Sequence, residues 1–372
     1  MIYFDHNATT PLDAEVLDAM MPFLTSLYGN PSSLHRHGRV VKTALEQARF
    51  QVASLVKVTP EQVIFSSGGT EANNLAIEGA VDLNQPHIMV GSTEHPSVSD
   101  TVLNLRSQGH EVSSLAVNND GIVSLEILQN TRRNNTGFIS LMLANNESGV
   151  IQDIEKLADD ARSHGVLFHT DAVQAAGKIE LDFNQLKVNL MSLSSHKIYG
   201  PKGVGALIHD QKTPLNEMLH GGSQEAGYRP GTENVAAIIG FGKAAELAML
   251  KLKQRVQHLS GLKTELEKGL TSIDGLTIVA DGVERLANTS QILMENIDGE
   301  MLLMQLDQQS IAVSSGSACS SNSKKPSAVL SAMGYEDKLA LSAIRVSLGQ
   351  QNTLDEVNAF VKKVKAIASH RA

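Results

Sequence analysis

Between about residue 60 and residue 210, short apolar runs alternate with segments of helical period. QVIFSS, HIMVGS, EVSSLAV, FISLMLA, VLFHTD and LMSLSS read as strands. TEANNLAIEGAV, PSVSDTVLNLRSQ and DIEKLADDARSHG lie between them and read as helices. Apolar strands separated by helices predict an α/β fold with a mostly parallel sheet, covered by helices on both faces. In such a sheet ligands bind beyond the carboxyl ends of the strands. The loops after these strands should therefore hold the chemistry.

A long helical pattern runs from Glu233 to about Leu270, and then the texture changes. TSQILMEN, IAVSS and AIRVSLG look like strands, and GEMLLMQLDQQ, KPSAVLSAM and LDEVNAFVKKVKAIA like helices. This mixture suits a small α+β domain at the C-terminal end. The expected division is a large domain over 15–255 and a small one formed by 1–14 with 256–372, the boundary falling on the long helix. A chain of 372 residues fits two domains at roughly 100–200 residues each.

Lys and Arg total 31 against 40 for Asp and Glu, a formal charge of -9. That balance argues against direct nucleic-acid binding and against an anionic membrane surface as partner. Trp is absent, which removes the best stacking residue for single strands. The one cysteine cannot close an internal disulfide, so a reducing compartment is expected. MIYFDHNATTPL lacks the basic-then-apolar pattern of a secretory signal. No apolar run approaches the roughly 20 residues that span a bilayer. The expected location is the cytoplasm, and no metal ligand set is expected.

SSGGTEANN (Ser66 to Asn74) stands between a strand and a helix. Gly68 and Gly69 permit close backbone approach, Thr70 offers a hydroxyl, and the helix start offers free N–H groups to an anion. A plain strand-to-helix turn capped by Thr70 reads the same way. No GxxxxGK[ST] occurs, which disfavours a Walker-type nucleotide site. Asp171 ends the apolar run VLFHTD, and Lys197 follows LMSLSS in SSHK. A Lys at a buried strand end is costly unless it is paired or used covalently, and a Schiff base with an aldehyde cofactor is such a use. An aldehyde cofactor of the pyridoxal type also needs a carboxylate on its ring nitrogen. Taken singly, Asp171 could cap a helix and Lys197 could reach solvent. Phosphate loop, Asp and Lys, in this order at strand ends, form a set.

That set resembles a fold-type I pyridoxal-phosphate enzyme of the class V aminotransferase group. YFDHNATTPL, GNPSSLHRHG, FSSGGTEANN, STEHPSV, ANNESGV, HTDAVQAAGK, SSHKIYGPKGVGAL, RPGTEN, SSGSAC and IRVSLG narrow the resemblance to the cysteine desulfurases of the NifS/IscS type. The resemblance covers essentially the whole chain. It implies pyridoxal 5'-phosphate as cofactor, a seven-stranded-type sheet, a homodimer and L-cysteine as substrate. It also implies a sulfur-acceptor protein, either an iron–sulfur cluster scaffold or a thiolation protein. By the same resemblance Lys197 is the amine that takes the cofactor. Asp171 pairs with the ring nitrogen and Gln174 with the phenolic oxygen. His95 stacks on the ring and moves protons. Gly69, Thr70, Ser194 and His196 hold the phosphate, and Thr232 reaches the phosphate of the neighbouring subunit. Asn146 contacts the ring oxygen or the substrate carboxylate, and Arg345 clamps that carboxylate, a task its planar guanidinium suits.

Cys319 would then be the sulfur acceptor, as a persulfide. Six serines, a Gly and an Asn surround it in SSGSACSSNS, followed by Lys324 and Lys325. Free cysteines are usually buried and inert. This neighbourhood is polar, and the lysines favour the reactive thiolate. Composition alone leaves both readings open, and the resemblance favours the reactive one. Ser223 and Ala226 depart from residues the family often carries there. The tail, ending at KAIASHRA, is shorter than in the housekeeping iron–sulfur members, which leaves scaffold docking open. The rival readings are selenocysteine lyase or another class V aminotransferase-like enzyme, a non-catalytic scaffold on the same fold, and a nucleotide-binding α/β protein.

Overall fold

All six expected strands of the first half form, and a seventh joins them. The computed structural model describes residues 1–82, 84–315 and 325–369. Strand β1 (Ile2–Tyr3) stands apart and pairs in parallel with β11 (Ile311–Ala312). The main sheet holds β2 (Val63–Ser66), β3 (His87–Gly91), β4 (Glu111–Leu115) and β5 (Thr136–Ser140). It continues with β6 (Leu167–Asp171), β7 (Leu190–Ser194) and β8 (Gly205–His209). Their order is β2-β8-β7-β6-β5-β3-β4. Strands β4, β3, β5, β6 and β7 pair in parallel, whereas β8 runs antiparallel to both β7 and β2. The link from Ser195 to Val204 is too short for a crossover helix, so β8 can only turn back beside β7. Gly205 lets β8 lie under the loop after β2, because a Cβ there would stand 2.6 Å from the Gly68 carbonyl carbon.

The connections are helical as expected, with α3 (Gly69–Ala80), α4 (Pro96–Ser107) and α6 (Ile154–Ser163). Three further helices, α1 (Ala14–Thr25), α2 (Arg36–Leu55) and α5 (Leu125–Thr131), fall in stretches where no element was expected. FISLMLA is strand only as far as Ser140. Leu141 and Leu143 still donate to the carbonyls of His169 and Asp171, so the irregular chain stays on β6.

Helix α7 (Val235–Leu270) joins two cores. Its first half carries small residues, and Gly242 allows α2 to pack so close that a Cβ would meet Ala48 Cα at 2.6 Å. Phe241, Ala244, Ala245 and Ala248 belong to the core beneath the main sheet. Leu259, Leu262, Leu266 and Leu270 recur at helical spacing and belong to a second core with Phe4, Ile292 and Phe360. Each such leucine gains about 2 kcal/mol on leaving water. The second core covers an antiparallel sheet of β12 (Ser314–Ser315), β13 (Ile344–Ser347), β10 (Thr289–Met294) and β9 (Leu276–Ile278), in that order. IAVSS is thus two strands broken at Val313, because β11 pairs with β1 and β12 with β13. Helices α8 (Gly299–Asp307), α9 (Ala328–Ala332), α10 (Asp337–Ala340) and α11 (Leu354–Ser369) complete this half.

Candidate active site

A cavity of about 390 Å³ opens where the carboxyl ends of β2, β6 and β7 meet the edge of β13. Its floor begins with Asp171, the last residue of β6, which is only 5% exposed. Both carboxylate oxygens are held. Oδ1 accepts the Val173 N–H at 2.9 Å, and Oδ2 accepts Asn73 Nδ2 at 2.8 Å. Asn73 Nδ2 also donates to Ser97 Oγ at 2.9 Å. Ser97 in turn meets His95: its backbone N–H donates to His95 Nδ1 at 3.1 Å, and its Oγ lies 2.8 Å from the same atom. A ring nitrogen that accepts a backbone N–H carries no proton, so the proton of neutral His95 sits on Nε2. Burial lowers the His95 pKa, Asp171 opposes that shift and Lys197 adds to it.

Lys197 closes a short 3-10 turn directly after β7. Its Nζ donates to the carbonyls of Asn7 at 2.6 Å and Ala8 at 2.7 Å. Gln174 Nε2 donates to the same Asn7 carbonyl at 3.0 Å. Arg345 enters from β13. Its Nη2 meets Asp5 Oδ1 at 2.7 Å and its Nη1 donates to the Asn146 carbonyl at 3.0 Å. Arg345 Nε is buried and finds no hydrogen-bond partner among the described residues. Asn146 is held by its neighbour, since Asn145 Oδ1 accepts the N–H groups of Glu147 and Ser148 at 2.9 Å each.

The other end of the cavity is shaped for an anion. Helix α3 begins at Gly69, and its N-cap, Gly68, supplies no side-chain cap. Thr70 is therefore inside the first turn, not at the cap. The free N–H groups there, with the positive end of the helix dipole, face a second hollow lined by Thr70, Ser194, His196 and Lys202. His196 is lowered to about 4 by burial, with Lys197 and Lys202 adding to the shift, so it stays neutral and offers hydrogen bonds. Uncapped helix N–H groups, a serine hydroxyl and a nearby ammonium are the donor set a phosphate monoester needs. A carboxylate fixed on two donors and an amine at the far side suit a pyridinium nitrogen and an aldehyde.

The expected residues Gly69, Thr70, His95, Asn146, Asp171, Gln174, Ser194, His196, Lys197 and Arg345 all line this one cavity. Thr232 does not: it is exposed and outside the lining. Cys319 lies outside the described residues. Sequence reasoning passed over Asn7, Asn73 and Ser97, although YFDHNATT and TEANN were both in view.

Glu147, beside Asn146, is half-buried between Ser327 Oγ at 2.5 Å and Gln291 Nε2 at 3.2 Å. Burial pushes its pKa up to about 7, against the pull of Ser327, Arg345 and Gln291. The folded chain thus keeps a proton that the unfolded chain releases above about 4.5. Its contribution to stability is full below that value and is lost as pH rises to about 7. Glu147→Gln is expected to remove this fall, at most about 3 kcal/mol, from urea-unfolding free energies measured across the window.

Known proteins resemble this chain in sequence and in fold. The aminotransferase class-V family matches residues 2–360. The protein named cysteine desulfurase IscS of Dictyoglomus turgidum is 40% identical, with 100% of this chain and 97% of the relative covered. A solved structure titled NifS-like protein superposes with a TM-score of 0.93 at 36% identity, covering 99% of each chain. A structure titled SspA in complex with cysteine superposes with a TM-score of 0.83 at 32% identity, covering 94% of this chain and 99% of that one. With a family match over almost the whole chain and a relative this similar along its full length, the chain belongs to the class-V aminotransferase family.

Proposed function

We propose that this chain is a cysteine desulfurase that uses pyridoxal 5'-phosphate to convert L-cysteine to L-alanine and keeps the sulfur as a persulfide on Cys319. One observation carries the reading: Lys197, Asp171 and Arg345 converge on a single cavity that ends at an uncapped helix N-terminus. Relatives named cysteine desulfurase and a neighbour solved with cysteine support the substrate.

When bound, the cofactor supplies an aldehyde carbon for amines and an electron sink for the substrate Cα. The chain supplies the rest. The α3 N–H groups at Gly69 and Thr70, with Ser194 and His196, hold the phosphate. Asp171 keeps the ring nitrogen protonated, and Gln174 donates to the phenolic oxygen. Arg345 and Asn146 orient the substrate carboxylate. Lys197 Nζ would hold the cofactor's aldehyde carbon and would serve as the base for the substrate Cα proton. His95 packs on the ring and moves protons near the substrate sulfur. Cys319 thiolate attacks that sulfur. The S–S bond forms, the C–S bond breaks with its electron pair left on Cβ, one proton is added to Cβ, and Lys197 returns a second to Cα to complete alanine.

The active unit is a homodimer in which Thr232 serves the neighbouring site, and the two cores are separate domains divided on α7 near residue 255. The sulfur passes to an acceptor protein of iron–sulfur cluster assembly or of a thiolation pathway. The proposed location is the cytoplasm. No helix among the described residues is long and apolar enough to cross a membrane.

The test is chemical. Borohydride reduction of the purified protein followed by peptide mass spectrometry is expected to find the reduced cofactor on Lys197. Incubation with cysteine is expected to yield alanine and a persulfide on Cys319. A clean Lys197 peptide, even after added cofactor, would remove the assignment. For Arg345→Lys, KM for cysteine is expected to rise about 10- to 100-fold with a smaller change in kcat, since a point ammonium cannot reproduce a two-pronged clamp. An unchanged KM would place the carboxylate elsewhere.

A further inference from the structure

Lys178 touches none of the groups assigned above to cofactor or substrate except Gln174. It does not line the 390 Å³ cavity. Yet its Nζ donates to Gln174 Oε1 at 2.7 Å and to Asn7 Oδ1 at 2.8 Å. A lysine amine in such a place is a donor to both, and an amide has one end that accepts and one that donates. Both amides must therefore turn their oxygen to Lys178 and their NH2 group away.

The consequences run to the cavity. Gln174 Nε2 donates to the Asn7 carbonyl at 3.0 Å, and an amide nitrogen carries two hydrogens, so one N–H is left on the cavity-lining side chain. Asn7 Nδ2 donates to Thr289 Oγ1 at 2.9 Å and to the Asn146 carbonyl at 3.2 Å. Asn288 Nδ2 adds a second donor on Asn7 Oδ1 at 3.0 Å, which fixes that amide the same way. Gln174 is pinned at its other end by the Asn7 carbonyl, which can only accept, and among the described residues Lys178 is the one donor to its Oε1. Without Lys178 that oxygen loses its donor and the Gln174 amide is held at one end alone, so its remaining N–H is less firmly aimed.

We propose that Lys178 is a positioning residue that, together with the Asn7 carbonyl, holds the Gln174 amide so that its N–H, not its oxygen, faces the cofactor's phenolic oxygen. This rests on the cofactor reading given above. The role is fullest while Lys178 is an ammonium, which has no lone pair with which to accept from a flipped amide. Burial lowers its pKa well below the usual lysine range, and Lys197 and Arg345 push the same way. A neutral amine can still donate both hydrogen bonds.

The test is a double-mutant cycle on the cofactor-loaded enzyme, read by absorbance. The quantity is the pH midpoint of the cofactor's near-ultraviolet to visible absorbance change. A donor on the phenolic oxygen stabilises its anion and weakens its hold on the neighbouring proton. Losing that donor should raise the midpoint by about 0.7 of a pH unit, a fivefold change in proton affinity. Lys178→Met and Gln174→Ala are each expected to raise it. The double variant is expected to match Gln174→Ala alone, because the lysine acts only through the glutamine. An added shift in the double variant would mean direct action on the cofactor and overturn the proposal. So would a Lys178→Met protein whose midpoint is unchanged while only its unfolding midpoint falls. An unshifted Gln174→Ala protein would instead remove the Gln174 assignment, and the proposal with it. If Lys178→Met does not fold, Lys178→Gln carries the same test, since a glutamine amide can accept as well as donate.

Discussion

Replacing Lys197 with alanine is expected to lower alanine formation from cysteine by at least about 10⁴-fold and to abolish the cofactor's near-ultraviolet to visible band. The size follows from two losses at one atom. The amine that takes the cofactor is gone, and so is the base that removes the Cα proton, itself worth about 10²–10⁴-fold. The fold should survive. Lys197 Nζ rests on the carbonyls of Asn7 and Ala8, and the Asn7 carbonyl keeps its bond from Gln174 Nε2. The strand end that carries it is fixed by backbone, with the Ser195 N–H on the Val204 carbonyl and the Gly200 N–H on the Ser195 carbonyl. Alanine production, the absorbance spectrum and a urea midpoint separate the outcomes. A variant that keeps a tenth of its activity with a normal unfolding midpoint would sink the role.

Lys197 and Asp171 were legible because a charge at the end of a buried strand demands a partner or a use. Both strand ends lie where the parallel sheet places its ligands. Asn7 and Lys178 gave no such signal. Their bond joins residues 171 positions apart, and nothing in either local segment announces it. Asn7 becomes visible only when the chain start lies across β6 and β7, where its carbonyl and amide serve Lys197, Gln174 and Lys178 together. Among the elements, β2 to β7 were readable as short apolar runs. β8 was hidden because GVGALIH follows a glycine-rich turn and doubles back rather than opening a new crossover unit. α2 was hidden because its buried face is thin: Val41, Leu45, Ala48 and Val52 alternate with charged and polar residues. Thr232 is exposed and lies off the cavity of its own chain, which accords with a role that needs a second copy.

Replacing Cys319 with alanine is expected to lower alanine formation from cysteine by at least about 10³-fold while leaving the cofactor band intact. The chain has one cysteine, so no second thiol can take over. Both flanks of the segment around it are tied to the site. On one side Ser314 lies opposite Arg345 in the β12–β13 register. On the other, Ser327 caps α9 and donates to Glu147, the neighbour of Asn146. Cys319 stands four positions after Ser315 in the sequence, which an extended chain spans in at most about 14 Å. Loss of turnover with a normal spectrum and a normal unfolding midpoint would place the defect after cofactor binding, at sulfur abstraction. An aminotransferase on the same fold has no use for this thiol, so an unchanged rate of alanine formation in Cys319→Ala would remove desulfuration through Cys319. Turnover of selenocysteine beside cysteine by the unaltered enzyme then separates the remaining alternative, since a selenocysteine lyase would leave cysteine essentially untouched.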